Sequence, residues 1–249
     1  MNKEMAKFIL EVEPSVIKEH VIIAPCWTPE SVGVNSYSQA SPYSNKIWNC
    51  KIDSKEFSYI ITGVGAGVCA DIVLSLGYTK CKKALFLGSA GALSPEVNIG
   101  DIVIPEQILS AEGFSRYLNK SLIVDEIFKS RYADEDICKK LYKDASNNAK
   151  NLKIHCFSGK GVSVATICAQ FEHIEEFVEN GCKYIDMESS AFLSAVNYNK
   201  IRGAVVFCVS DNISINEPIY TVNKVKNTFR KKIRREIIPN IIRSFMDEV

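Results

Sequence analysis

The chain has 249 residues, 47% hydrophobic and 24% charged, enough to bury a sizeable core as one large domain or two small ones. Its 30 basic and 29 acidic residues leave a net charge of +1, without the basic excess that marks a nucleic-acid partner. Nine cysteines, odd in number and with no C-x-x-C pair or Cys/His cluster, read as reduced thiols of a cytoplasmic protein rather than disulfides or a metal site. No run approaches ~18 apolar residues and the N-terminus holds no long apolar segment, so neither a membrane span nor a signal peptide is expected.

Residues 1–20 predict a helix with Phe8, Ile9, Val12, Val16 and Ile17 on its apolar side. VIIA predicts a short strand ending at Pro25. From Pro25 to Asn49 the chain is rich in Ser, Asn, Pro and Tyr, either a long loop serving a site or a hairpin-rich edge. Residues 57–61 predict a strand, 63–67 (GVGAG) a glycine turn, and 68–77 a helix with Val68, Ile72, Val73 and Leu76 inward. A strand over 84–87 then ends in a second small-residue turn, GSAG, over 88–91. Strand, helix and strand in this span predict a right-handed βαβ unit. It is not a dinucleotide fingerprint, since Val68 stands where the third glycine belongs and Lys82 and Lys83 occupy the region of the ribose-binding acid.

Further on, residues 98–105 predict a turn into a strand, 133–150 a charged surface helix, LKIHCFSG a strand, and about 170–180 an amphipathic helix. From 222 to 249 an apolar residue recurs every fourth position, from Val225 to Phe245, with Pro239 expected to kink or break the helix. The Arg/Lys run from Arg230 to Arg235 reads as a solvated helix face. No repeat or linker divides the chain, so one domain over 1–249 is expected.

The most informative stretch is KYIDMESSAFLSAVNYNKIRGAVVFCVSDN, residues 183–212. It predicts a strand, a helix and a second, apolar strand, with Glu188 at the first junction and Asp211 at the end of the last strand. Carboxyl ends of strands are where ligands gather in α/β sheets. Each residue also suits a plainer role, Glu188 as a helix cap and Asp211 with Asn212 as a turn.

DMES (186–189) and VSDN (209–212) resemble the two signature turns of the nucleoside phosphorylase and nucleosidase superfamily. Other stations agree in order: residues 61–67, LGSAGAL (87–93) with GDIV (100–103), EGFSRYL (112–118), and 159–177. The resemblance implies a three-layer α/β fold with a central mixed, partly barrel-like sheet flanked by helices. It also implies homo-oligomers, dimers or trimers of dimers. The activity it implies is cleavage of the N-glycosidic bond of a nucleoside, with phosphate as acceptor in phosphorylases and water in nucleosidases. No metal or organic cofactor is implied. Asp211 would protonate the departing base, help of a kind worth ~10²–10⁴ in rate. Glu188 would grip the ribose hydroxyls, with Met187 under the sugar. Ser89, Ala90 and Gly91 would form the anion-side turn, whose amides suit an anion. Val164 takes the place of a base-stacking aromatic, and Ser210 completes the substrate contacts.

The chain departs from that family at its cations. Residues 24–29 (APCWTP) lack the glycine and arginine of the phosphate loop, Phe86 replaces another arginine, and no arginine precedes Arg116. Lys46, Lys160 and Arg116 are the candidate substitutes, a phosphorylase of purine nucleosides is the preferred reading, and a nucleosidase or a non-catalytic nucleoside binder are the alternatives.

Overall fold

The structure, a computed structural model, describes residues 2–42, 44–123 and 125–247; the positions of predicted elements at 1, 43, 248 and 249 lie outside it. In chain order it contains α1 (Lys3–Leu10), β1 (His20–Ala24), β2 (Ser36–Gln39), β3 (Ile47–Ile52), β4 (Lys55–Ile61) and α2 (Ala66–Ser75). There follow β5 (Lys83–Ala92), β6 (Ile102–Val103), β7 (Gln107–Ala111), β8 (Lys129–Tyr132), α3 (Glu135–Leu152) and β9 (Cys156–Phe157). The last third holds β10 (Lys160–Val164), α4 (Ile174–Glu179), β11 (Tyr184–Asp186), α5 (Ser189–Tyr198), β12 (Arg202–Asn212) and α6 (Lys224–Met246).

All the strands join one mixed sheet in the order β2-β3-β4-β1-β5-β11-β10-β7-β8, with β12 paired on β5, then β6 and β9. Strands β4, β1, β5 and β12 run parallel, as do β7, β10 and β11, and the two sets meet antiparallel between β5 and β11. Helices α2 and α5 cover one face and α3 and α6 the other, each over its own apolar cluster. This is the expected three-layer α/β architecture. Phe192 of α5 seats 5.5 Å from the Phe86 ring of β5, centroid to centroid, and so presses the helix onto the sheet beside the β5–β11 junction.

Several elements differ from expectation. The first helix stops at Leu10 and buries Ala6 and Leu10, while Phe8 is exposed; the predicted stripe continues into a 3₁₀ turn instead. The Pro25–Asn49 stretch is the hairpin edge, β2 pairing antiparallel with β3. Val68 faces outward. The main strand after α3 is β10, beyond LKIHCFSG, which keeps just β9.

The predicted turn at 88–91 is strand. Strand β5 runs unbroken from Lys83 to Ala92, paired with β12 along its length and with β11 at Gly91 and Ala92. The small residues are there for space: a Cβ at Gly88 would stand 2.7 Å from the Phe86 ring, and one at Gly91 3.3 Å from Asp211 Oδ2. Neither glycine has a positive φ, so the alternating backbone of an anion-binding nest is not formed.

Helix α6 likewise runs through Pro239. Proline removes the hydrogen bond to the carbonyl four residues back. That carbonyl, Arg235 O, lies against Gly33, where a Cβ would come within 2.3 Å of it and 2.9 Å of the Pro239 ring. A glycine in the loop before β2 makes room for the distortion.

Gly203 under α5 gives the test of this packing. A Cβ there would meet Val196 Cγ2 at 2.6 Å. Gly203→Val is expected to cost about 1–3 kcal/mol or more by overpacking, read as a lower denaturant midpoint at unchanged slope. An unchanged midpoint would show that α5 is not pressed onto β12.

Candidate active site

Strand β11 ends at Asp186, and the next three residues turn into α5. The amides opening a helix need acceptors. Asp186 supplies them: its Oδ2 accepts from Glu188 N at 2.9 Å and Ser189 N at 2.7 Å. Its Oδ1 accepts from the hydroxyls of Ser189, 2.7 Å, and Ser163 of β10, 2.6 Å. Ser163 Oγ in turn accepts from Ser190 N at 2.8 Å. The helix is thus capped without Glu188, whose side chain makes no capping bond.

Glu188 points instead across the β5–β11 junction, where its Oε1 accepts from Gly65 N at 2.6 Å. Gly65 has φ +120°, a backbone that favours glycine and turns this amide toward the carboxylate. The glycine turn before α2 therefore serves as a hydrogen-bond donor to Glu188, a role its sequence alone did not disclose. Burial and the neighbouring Asp186 charge push Glu188 up to about 8, against the Gly65 and Met187 amides. Burial also raises Asp186, opposed by the hydrogen bonds it accepts.

The second junction divides its labour in the same way. The register of β12 against β5 slips between Val209 and Asp211, a bulge that places consecutive side chains, Ser210 and Asp211, on one side. Both reach the pocket. Ser210 Oγ donates to Ala90 O at 3.2 Å and is also within reach of Asp211 Oδ1. Burial raises the Asp211 pKa, with the Ser210 hydroxyl, the Ile219 amide and the Arg230 charge opposing. Asn212 holds the turn: its Nδ2 donates to Ser94 O and Val97 O at 2.9 and 2.7 Å, and its Oδ1 accepts from Ser214 N at 2.9 Å.

Glu188 and Asp211 line one pocket of about 230 Å³, together with Ser89, Gly91, Met187 and Ser210. Pro25, Cys26 and Trp27 after β1 form one wall; Val64, Ile167, Gln170 and Ile219 supply apolar and amide surface. Of the site residues read from sequence, two fall elsewhere. Ala90 is 2% exposed and turned into the core, meeting the site through its carbonyl, as strand alternation requires next to Ser89 and Gly91. Val164 lines an adjoining cavity with Ala165, Thr166 and Phe177, sharing Gln170 with the pocket. Gln170, Trp27 and Ile185 are pocket residues missing from the predicted set. None of the three candidate cations lines it: Lys46 pairs with Glu11, Lys160 Nζ donates to Asn180 O, and Arg116 lies outside. Glu112 of EGFSRYL is also outside, buried and accepting from the hydroxyls of Ser110, Ser115 and Ser190, a brace under α5.

Among the described residues no helix is long and apolar enough to cross a membrane, and all nine cysteines are free thiols.

The model of the phosphorylase superfamily matches residues 30–237. No curated protein sequence is a match. Uridine phosphorylase from Vibrio fischeri ES114 superposes with a TM-score of 0.70 at 18% identity, over 92% of this chain and 95% of that one. Purine nucleoside phosphorylase from Toxoplasma gondii, in complex with immucillin-H, gives 0.71 at 22% identity over 93% and 95%. With its fold shared and the family pattern running through most of its length, the chain belongs to the phosphorylase superfamily.

Proposed function

We propose that the protein is a nucleoside phosphorylase acting on purine nucleosides, with Asp211 as general acid and Glu188 holding the ribose diol. The observation that carries this reading is the pair of buried carboxyls on one pocket, each released from structural duty by its neighbour. In phosphorolysis the C1′–N bond breaks, its electron pair leaves with the base, and a phosphate oxygen forms the new bond to C1′. Asp211, whose proton affinity burial raises, gives a proton to a base nitrogen as that charge develops. A purine suits this donor because its N7 is a basic nitrogen outside the glycosidic bond. Glu188 accepts from the 2′- and 3′-hydroxyls. Met187 and Ser89 line the same pocket.

Hydrolysis is the second reading, favoured by one observation: among the described residues the pocket-lining side chains include no Lys or Arg to hold an acceptor anion. The deciding experiment is base release from a panel of purine and pyrimidine nucleosides at zero and saturating phosphate, with ribose and ribose 1-phosphate measured. Ribose 1-phosphate is expected. Full activity without phosphate, giving free ribose, would make the protein a nucleosidase, and tight nucleoside binding with no base release would make it a binder.

Asp211→Asn is expected to fold normally and to slow base release about 10²-fold or more; near wild-type turnover would remove Asp211 from the chemistry. Glu188→Ala should hurt ribonucleosides more than 2′-deoxyribonucleosides, narrowing the preference between them by up to about tenfold, since a hydrogen bond to the neutral carboxyl contributes about 0.5–1.5 kcal/mol. An unchanged preference would detach Glu188 from the diol.

The Glu188 proton also has a stability signature. The folded protein keeps it to a pH of about 8, whereas an unfolded chain releases it near the ordinary glutamate value. Stability is therefore lost as pH rises between the two, the native state binding the extra proton. Glu188→Gln removes that loss while keeping an acceptor for Gly65 N. Its Tm advantage over wild type should grow from pH 5 to 8 and then level off; a pH-independent difference would show that Glu188 is not protonated in the folded protein.

A further inference from the structure

The pocket that holds the two acids does not end at Gln170. This residue is 9% exposed and lines both that pocket and a second cavity of about 310 Å³. Among the described residues its side-chain amide has no hydrogen-bond partner. A buried amide left unpaired is costly, and a ligand lying across the junction would complete it. The second cavity is walled by Ala111, Ile127, Phe128, Val164 and Phe177. Ile185 and Met187 of the first pocket join the same apolar cluster as Val164 and Phe177, with Ala111 and Phe128 packed against it. Apolar surface is therefore continuous from one space to the other.

The lining restricts what can enter. Among the described residues no Lys or Arg faces the second cavity, so an anionic extension finds no partner there. The ionisable groups at its rim, His173 and Glu176, stand 3.6 Å apart and are turned to each other. Inside, the rings of Phe128 and Phe177 meet edge to face at 6.1 Å, a geometry in which a further flat or branched apolar group packs well. Phe128 holds its ring there from a left-handed backbone, φ 56°, a conformation that costs a bulky residue. Strain of this kind gathers at ligand sites.

We propose that the second cavity takes an apolar substituent of the leaving base, and that the substrates are purine nucleosides whose 6-amino group carries a bulky hydrocarbon group of benzyl size. This rests on the proposed function, which sets the direction of the ligand. Glu188 takes the ribose and Asp211 the N7 edge, which leaves the six-membered ring to the Ile167–Gln170 side, where the second cavity opens. A 6-alkylamino purine keeps one N–H beside N1, a donor and an acceptor that match the two ends of the Gln170 amide. Beyond them the small side chains of Ala111 and Val164 leave room for the substituent.

The test compares adenosine with N6-benzyladenosine on the full chain, in wild type and in the cavity-filling variants Ala111→Leu and Val164→Phe. Turnover is read as the ratio of kcat/KM for the benzyl nucleoside to that for adenosine, and binding separately as the rise in Tm each nucleoside gives. In wild type the ratio should be about tenfold or more, within what a few carbons gain in an apolar pocket. Each variant should lower it about tenfold, mainly through the KM of the benzyl nucleoside. Should one variant fail to fold, the other carries the comparison. If wild type releases no base from either nucleoside, the proposed function falls, but a larger Tm rise with N6-benzyladenosine, lost in the folded variants, still establishes the cavity as its site. A wild-type ratio under threefold, equal Tm rises where there is no turnover, or a preference that survives in the filled cavities would overturn the proposal.

Discussion

The site depends on the hydrogen bonds accepted by one buried carboxylate, Asp186. Two come from backbone amides at the start of α5 and two from serine hydroxyls, one of them on β10. A carboxyl this deep would be expensive without such donors. With them it ties β10, β11 and α5 together at the point where strand direction changes in the sheet. Two consequences follow for Glu188. It is excused from capping, so its side chain crosses to the Gly65 amide. It also stands beside a second acid, which together with burial raises its own proton affinity. The placement of the diol-binding candidate traces to its neighbour, and its raised proton affinity to burial first and to that neighbour's charge second.

The VSDN turn repeats this arrangement with different chemistry. Asn212 spends both ends of its amide on the 94–97 and 213–217 loops, and the bulge at Ser210 lets Asp211 turn to the pocket. Gly91 opposite accepts the approach of the Asp211 carboxylate because it has no Cβ. In each motif the residue that takes the structural role stands within two positions of the acid offered to the pocket, Asp186 before Glu188 and Asn212 after Asp211.

That adjacency explains what the sequence could disclose. Apolar runs such as VIIA and AVVFCV, and the Asp134-capped charged helix, announce strands and a helix through local pattern, and the two acids stand out by position. The cap on α5 is not legible in the sequence, because Ser163, which binds both Asp186 and the Ser190 amide, lies on β10, and the partner that draws Glu188 away from capping lies in the glycine turn. GSAG read as a turn since glycine and serine are turn formers; the strand it forms is imposed by β12 and β11, both remote in sequence. Arg234 was misassigned for a related reason. A basic run looks solvated by composition, and its burial is decided by the loop carrying Trp27 and Ser31, some 200 residues earlier.

The same layout bears on how a dianion and two acids share a small cavity. Were Glu188 and Asp211 both ionised in the empty pocket, they would repel an entering phosphate in a medium that screens poorly. Burial raises both proton affinities, so the unliganded pocket carries less negative charge than its residue types suggest. Arg230 acts in the opposite sense on Asp211, so the proton affinity of this acid is set by burial against the Ser210 hydroxyl, the Ile219 amide and one positive charge on α6.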